Sequence, residues 1–266
     1  MSFSTIRTEH TETVYRITLS RPEVRNAFND TMIAELTEAF EQIRRLRDIR
    51  VVVLGGDGKV FCAGADIHWM KKMIAYNFED NLRDAIKLAN LLELMYDCTR
   101  PIIARVQGAA IGGGTGLVAV ADIAITSSDT AFSFSEVKIG LVPACISPYV
   151  IKKVGEALSA EFFITGEHLS AQRMYEAGLV SRVVPPEKLD DEIEKIVRLI
   201  LSSGPKAVQM CKELVRRVPG MPVPEMKSYT ARAIADLRVS EEGQEGMLAF
   251  FEKRTPRWAI KRDESE

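Results

Sequence analysis

Cysteine is scarce and scattered in this chain of 266 residues. Cys62, Cys98, Cys145 and Cys211 lie far apart and form no Cys-x-x-Cys pair. That spacing excludes a structural zinc site and a disulfide framework, and the four read as buried or idle thiols of a reducing compartment. Excess charge of either sign is also missing. Lys and Arg number 35 against 37 Asp and Glu, a net charge of −2, so nothing points to nucleic acid as a partner, and any phosphate must be held by local basic residues. No apolar run is long enough to span a membrane. The first residues, Met1 to Leu19, carry Arg7, Glu9, Glu12 and Arg16 and lack the apolar stretch of a secretory leader. The expected location is therefore cytoplasmic, or an organelle with the transit peptide already removed.

With 46% hydrophobic and 27% charged residues, the chain can bury a large core without staples, as one domain or one domain with an appendage. Tyr15, Ile17 and Leu19 alternate with Arg16 and Thr18, which predicts a half-buried strand ending at Arg21-Pro22. After a loop to Ala27, Asn29 or Asp30 can cap a helix whose Ile33, Leu36, Phe40 and Ile43 share one face. The continuous run Val51 to Leu54 then predicts a buried parallel strand. The alternation recurs: strands over Ile102 to Val106 and Ile123 to Thr126, turns at Gly55 to Gly58 and Gly112 to Gly114, and helices after them. Beyond Pro185-Pro186 the periodicity is helical, as in Leu189, Ile193, Ile196, Val197 and Ile200. The helical tail is too small to bury Met226, Tyr229, Ile234, Leu237, Met247, Phe250 and Phe251 alone, so it should pack on the body or on another subunit.

The segment Gly108 to Ala119 follows a strand, opens a helix and carries Gly112, Gly113, Gly114 and Gly116. A phosphate loop would need a Lys after these glycines, and none follows. Gly114-x-Gly116-x-x-Ala119, with Glu136 20 residues beyond Gly116, fits a tolerant dinucleotide fingerprint. Its position in mid-chain and the weak β–α alternation downstream argue against that fold. Close helix–strand packing would also explain the glycines. The remaining reading is catalytic: glycines expose backbone N–H groups at a helix N-terminus, where they can bind a developing oxyanion. Val60 to Ile67 offers a second such turn, rich in small residues.

Four segments carry a resemblance in order along the chain: Phe61-Cys-Ala-Gly-Ala-Asp-Ile67, Val106-Gln-Gly-Ala-Ala-Ile-Gly-Gly-Gly114, Ala121-Asp-Ile-Ala-Ile125 and Phe134-Ser-Glu-Val-Lys-Ile-Gly-Leu-Val-Pro143. They are similar to the successive signatures of the crotonase (enoyl-CoA hydratase/isomerase) superfamily, and the Arg21 to Ala27 loop, Thr165 to Val180 and Glu245 to Arg254 match as well. The resemblance implies an α/β fold, a spiral of ββα units over residues 1–198 with a helical trimerisation region over 199–266. It implies an acyl-CoA substrate, trimers or dimers of trimers, and no metal or redox cofactor. The N–H groups of Ala65 and Gly113 would bind the enolate oxygen. Arg25, Ala27 and Ala63 would line the coenzyme A site, and Lys253 would reach the phosphates of a neighbouring subunit's ligand. Glu136 would be the general acid/base, its pKa raised by apolar Phe132, Phe134 and Val137 around it in sequence.

Two departures stand out. Typical hydratases of the family carry a second glutamate where this chain has Gly116, and Ala144-Cys-Ile-Ser-Pro-Tyr149 replaces a Gly-rich stretch. Together with His68-Trp69-Met70, these resemble the bacterial methylglutaconyl-CoA hydratase branch of leucine breakdown, whose substrates end in a carboxylate. His68, Lys71 and Lys72 are candidate partners for that carboxylate. Cys145, Ser147 and Tyr149 are open to two roles, orienting water or packing. The expected reaction is hydration of an enoyl-CoA. A Δ3,Δ2-enoyl-CoA isomerase working with one glutamate and a non-catalytic acyl-CoA scaffold are the alternatives.

Overall fold

The structure, a computed structural model, describes residues 3–259. Nine strands form: β1 (Ile6–His10), β2 (Val14–Leu19), β3 (Val51–Gly56), β4 (Ile102–Val106), β5 (Ala109–Ile111), β6 (Ile123–Ser127), β7 (Ala131–Ser133), β8 (His168–Ser170) and β9 (Arg182–Val184). Eleven α-helices accompany them: α1 (Asp30–Arg45), α2 (Ile67–Met73), α3 (Phe78–Tyr96), α4 (Gly113–Val120), α5 (Ser147–Val154), α6 (Glu156–Thr165), α7 (Ala171–Glu176), α8 (Leu189–Ser202), α9 (Pro205–Arg217), α10 (Val223–Val239) and α11 (Glu241–Phe251).

The larger sheet runs β1-β2-β3-β4-β6-β9. Only the β1–β2 pair is antiparallel; β2 to β9 are parallel. Parallel strands covered on both faces read as unbroken apolar runs, which is why Val51 to Leu54 shows no alternation. Val52, Leu54, Ile102 and Ala104 face the main core with α1, α3 and α4, whereas Val51, Val53, Ile103 and Ile125 face Leu189, Ile193, Ile196 and Val197 of α8. Each fully buried Val, Leu or Ile among them contributes ~1.5–3 kcal/mol. Helix α1 starts where the Asn29 side chain accepts the Met32 N–H at 3.0 Å, and its apolar face is Met32, Ile33, Leu36, Phe40 and Ile43.

The smaller sheet has the order β5-β7-β8. It explains the repeat. Each turn of the chain gives one strand to the large sheet, one short extended piece to the small layer, and then helix: β4, β5, α4, and again β6, β7, α5. Earlier turns give only single bridges to that layer, Phe28 to Ala65 and Cys62 to Ala110. The short pieces therefore gather along one edge of the body, and the site lies there.

The expected α/β body with a helical C-terminal region is what the chain forms. The divide expected at residue 198 falls inside α8, which closes the second face of the sheet; the tail begins after Ser203. Helix α9 is held to the body by Asp122, which accepts Lys212 at 2.6 Å and Arg216 at 3.1 Å. Glu242 of α11 accepts the N–H groups of Lys206 and Ala207, each at 2.8 Å, and so caps α9 from across the tail. Several tail residues flagged for their apolar character stay exposed in the single chain: Ile234 at 48%, Phe250 at 79% and Phe251 at 77%.

Candidate active site

Parallel pairing of β5 with β7 puts Ile111 beside Ser133. The two strands thus leave the small sheet side by side, one into Gly112-Gly113 and the other into the 3-10 turn Ser135–Ile139 that carries Glu136. Gly112 has φ 51 and donates its N–H to the Ser133 carbonyl at 2.8 Å. A Cβ on Gly112 would sit 2.8 Å from Glu136 Oε1, so the carboxyl lies directly over a bare backbone.

Glu136 is half-buried, and its Oε2 is buried with no hydrogen-bond partner among the described residues. Burial pushes the carboxyl above its ordinary value of 4.5, opposed in part by its own backbone N–H. Of the three apolar neighbours in sequence, Phe132 and Phe134 are fully buried, whereas Val137 is 37% exposed.

Gly113 opens α4. The chain around Ala65 is stitched to the same place: Cys62 donates to the Ala109 carbonyl at 3.1 Å, Ile111 donates to the Cys62 carbonyl at 3.0 Å, and the Phe28–Ala65 bridge ties in the loop before α1. The Phe28 ring also abuts Gly113, where a Cβ would meet its Cζ at 2.2 Å. Among the described residues, neither the Ala65 N–H nor the Gly113 N–H donates to a protein acceptor. Two N–H groups without a protein acceptor, one of them in the first residue of a helix, thus lie on segments bonded into the layer that leads to the unpartnered carboxyl; N–H groups of this kind can hold an oxyanion while a proton moves.

The structure brings Arg25, Ala27, Ala63, Ala65, Gly113 and Glu136 onto this edge. Arg25 is exposed with φ 55, and its carbonyl accepts the Ala63 N–H at 3.0 Å. Ala27 is buried and its carbonyl accepts Arg21 Nη1 at 2.6 Å. His68 is exposed on α2, as are Lys71 and Lys72. Lys253 is not brought in. It follows α11 on the tail, with φ 55, and makes no hydrogen bond or ion pair with residues of the site within the chain, among the described residues.

Three contributors were not singled out from the sequence. The Arg21–Asp66 ion pair, at 2.7 Å with side chains 17% and 5% exposed, fastens the Ala27 loop to the turn carrying Ala65. Burial alone would raise the Asp66 carboxyl, but Arg21 and the N–H groups of His68 and Trp69 hold it below its ordinary range. An Asp just before a helical run was a usable signal, since Asp66 caps α2. Phe28 and Ile146 are the others, and neither has a local signature. The open choice at Cys145, Ser147 and Tyr149 narrows: the Cys145 thiol points to the Ala85 carbonyl at 3.6 Å, Ser147 Oγ donates to the Ala144 carbonyl at 2.8 Å, and Tyr149 packs on Tyr96 with ring centroids 5.3 Å apart.

Beyond the Glu136 turn lies an open, largely apolar cleft of about 430 Å³ lined by Val137, Val142, Pro143, Ala144, Ser147, Phe163 and Ile164. Glu136 does not line it.

Known proteins are similar to this chain in sequence and fold. The family described as enoyl-CoA hydratase/isomerase matches residues 9–261. A Dictyostelium discoideum protein named "Probable enoyl-CoA hydratase, mitochondrial" is 35% identical over 260 residues, covering 96% of this chain and 91% of that one. The crystal structure of an enoyl-CoA hydratase from Shewanella pealeana superposes with a TM-score of 0.92 at 36% identity, covering 96% of both chains. An enoyl-CoA hydratase structure from Mycobacterium smegmatis gives 0.91 at 33% identity over 97% of this chain and 100% of that one. A family match over nearly the whole chain and relatives more than 30% identical along their length agree with the order of elements: this chain is a member of the enoyl-CoA hydratase/isomerase (crotonase) family.

Proposed function

We propose that the chain is an enoyl-CoA hydratase that adds water syn across the α,β double bond of an acyl-CoA thioester, giving a 3-hydroxyacyl-CoA. The observation that carries this reading is the unpartnered, half-buried Glu136 carboxyl beside two free backbone donors. In the proposed reaction the thioester oxygen accepts the N–H groups of Ala65 and Gly113. Preorganised donors of this kind are worth ~3–4 kcal/mol each as negative charge gathers on that oxygen. Glu136, whose protonated form burial favours, gives its proton to Cα from one oxygen while the other takes a proton from water, whose hydroxyl adds to Cβ. The carboxyl ends as it began. The step uses no metal or redox cofactor.

Arg25, Ala27 and Ala63 line the coenzyme A site in this reading, with Lys253 supplied by a neighbouring subunit. The resemblance at His68-Trp69-Met70, Gly116 and residues 144–149 supports 3-methylglutaconyl-CoA or a related branched acyl group, its free carboxylate meeting His68, Lys71 or Lys72 on α2. The exposed Phe250 and Phe251, and the apolar cleft beside Val137 and Ile164, support association as trimers or paired trimers. No helix among the described residues is long and apolar enough to cross a membrane. The proposed location, the cytoplasm, rests on the sequence reading alone.

Gly116 favours a second reading. With one carboxyl, the same site can shift a proton from C2 to C4 and act as a Δ3,Δ2-enoyl-CoA isomerase. Ultraviolet absorbance separates these. Loss of the conjugated enoyl thioester band is the result expected for hydration, and a gain from a 3-enoyl thioester marks isomerisation. Tight acyl-CoA binding with no spectral change would overturn both in favour of a non-catalytic scaffold.

A further inference from the structure

Gly116 sits one turn into α4, its N–H donating to the Gly112 carbonyl at 3.1 Å. The volume that a side chain there would need is already occupied. A Cβ on Gly116 would lie 2.1 Å from Ile146 Cγ2 and 2.8 Å from Ile146 Cβ. These are the branch atoms of a β-branched side chain, fixed to the backbone and unable to swing aside like the end of a lysine. The backbone cannot retreat either, because Ile146 is 2% exposed and its carbonyl accepts the N–H groups of Tyr149 and Val150 at 3.1 and 3.2 Å as α5 begins. Val150 and Val154 of α5 are set into the same core. Ile146 and Gly116 are thus a knob and its hole, one turn below the point where Glu136 stands over Gly112.

We propose that Ile146 is a specificity-determining residue, which fills against Gly116 the space of a second carboxyl side chain on α4 and so holds the site to one proton carrier, Glu136. This rests on the acyl-CoA reading above and deepens it. With Ile146 packed into that space, α4 carries no carboxyl to orient or deprotonate water. A single carboxyl must give and take every proton. Reactions that return the proton to the carrier, syn addition of water or a 1,3 shift, suit such a site, and their rate should follow one ionisation.

The test is a pair of exchange cycles on the full-length protein. In the first, Gly116→Ala lowers the thermal midpoint by roughly 5 °C through overpacking. Ile146→Ala in the same chain relieves the loss, whereas Ile146→Val, which keeps the branch at Cβ, does not. In the second, Gly116→Glu alone is inactive. Gly116→Glu with Ile146→Ala hydrates a short linear enoyl thioester roughly 10-fold or more faster than Gly116→Glu alone, with a second ionisation in its pH profile. Gly116→Ala as stable as the parent, or equal relief by valine and alanine, overturns the proposal while leaving the hydratase reading intact. Thermal coupling as expected, with no turnover of any enoyl thioester by the parent, overturns the activity reading and the specificity role that depends on it.

Discussion

Glu136 is asked to hold a proton where a carboxylate is poorly solvated, and this ties activity to pH and stability to pH with opposite demands on the same atom. Its folded pKa is raised, so the protonated form is favoured by folding. The stabilisation is fully present below the ordinary value of 4.5 and is lost as pH rises through the raised folded value. Glu136→Gln removes that loss. The variant should match the parent in thermal midpoint near pH 4.5 and exceed it at pH 8, as read by scanning calorimetry. It should also lose ~10²–10⁴ in kcat, with ligand binding retained, because an amide cannot exchange the proton. Wild-type turnover by this variant would remove Glu136 from the mechanism. In the parent, kcat/KM should fall on the alkaline side as the donor ionises, and that limb should be missing from the residual activity of the variant.

At the scale of elements, the site depends on loops that have almost no structure of their own. The Ala27 loop and the turn bearing Ala65 are joined by Arg21, which serves a carbonyl on one and a carboxylate on the other. Arg21→Met leaves Asp66 buried without its cation, and should lower unfolding free energy by ~2–3 kcal/mol in urea titration. Because the Ala65 donor shifts with its turn, kcat should fall more than substrate affinity. The Asp66 side of the pair gives the opposite pH sense to Glu136. Its pKa is lowered, so the stabilisation holds above the ordinary carboxylate range and fades as pH falls through the folded value.

The strands and helices that carry these loops were readable because their causes are local. Asn29 caps α1, periodicity marks Ile33 to Ile43, and apolar continuity marks Val51 to Leu54. The same holds for the glycine turn and for Glu136, which lie in short contiguous motifs. Ile146 and Phe28 were invisible for the converse reason: each acts on a glycine of α4 from an element 30 or more positions away, and a single chain carries no trace of which distant side chain fills a glycine's missing Cβ. The boundary read at residue 198 falls within α8, which has the periodicity of the tail but packs on the sheet.

For the whole molecule, the exposed apolar surface of the tail and the isolation of Lys253 lead to the same expectation. Replacing Phe250 and Phe251 by Ser should shift sedimentation at micromolar concentration from trimer or hexamer toward monomer; a monodisperse monomer in the parent would refute self-association outright. Charge reversal at Arg25 or Lys253 should raise KM for acyl-CoA more than it lowers kcat. Both effects should shrink at high salt, since surface charge is screened over ~10 Å at 0.1 M. If Lys253 serves a neighbour's ligand, the Phe250 and Phe251 variant should lose the effect of Lys253→Glu and keep that of Arg25→Glu.

One side chain of the body, Arg50, donates to the carbonyls of Ile200, Ser203 and Trp258. The tail therefore leaves the body and comes back to it at one shared post, as the two ends of a handle meet at a rivet, with Asp122 holding α9 in between. Residues between Ser203 and Trp258 form a closed circuit, and the connection from α9 to α10 lies at its far side, at Val218–Gly220. Cleaving the chain there would leave both halves of the handle anchored, through Arg50 at each end and Asp122 along α9. Replacing Arg50 would loosen the two ends together, leaving the tail held to the body by Asp122 through Lys212 and Arg216 of α9.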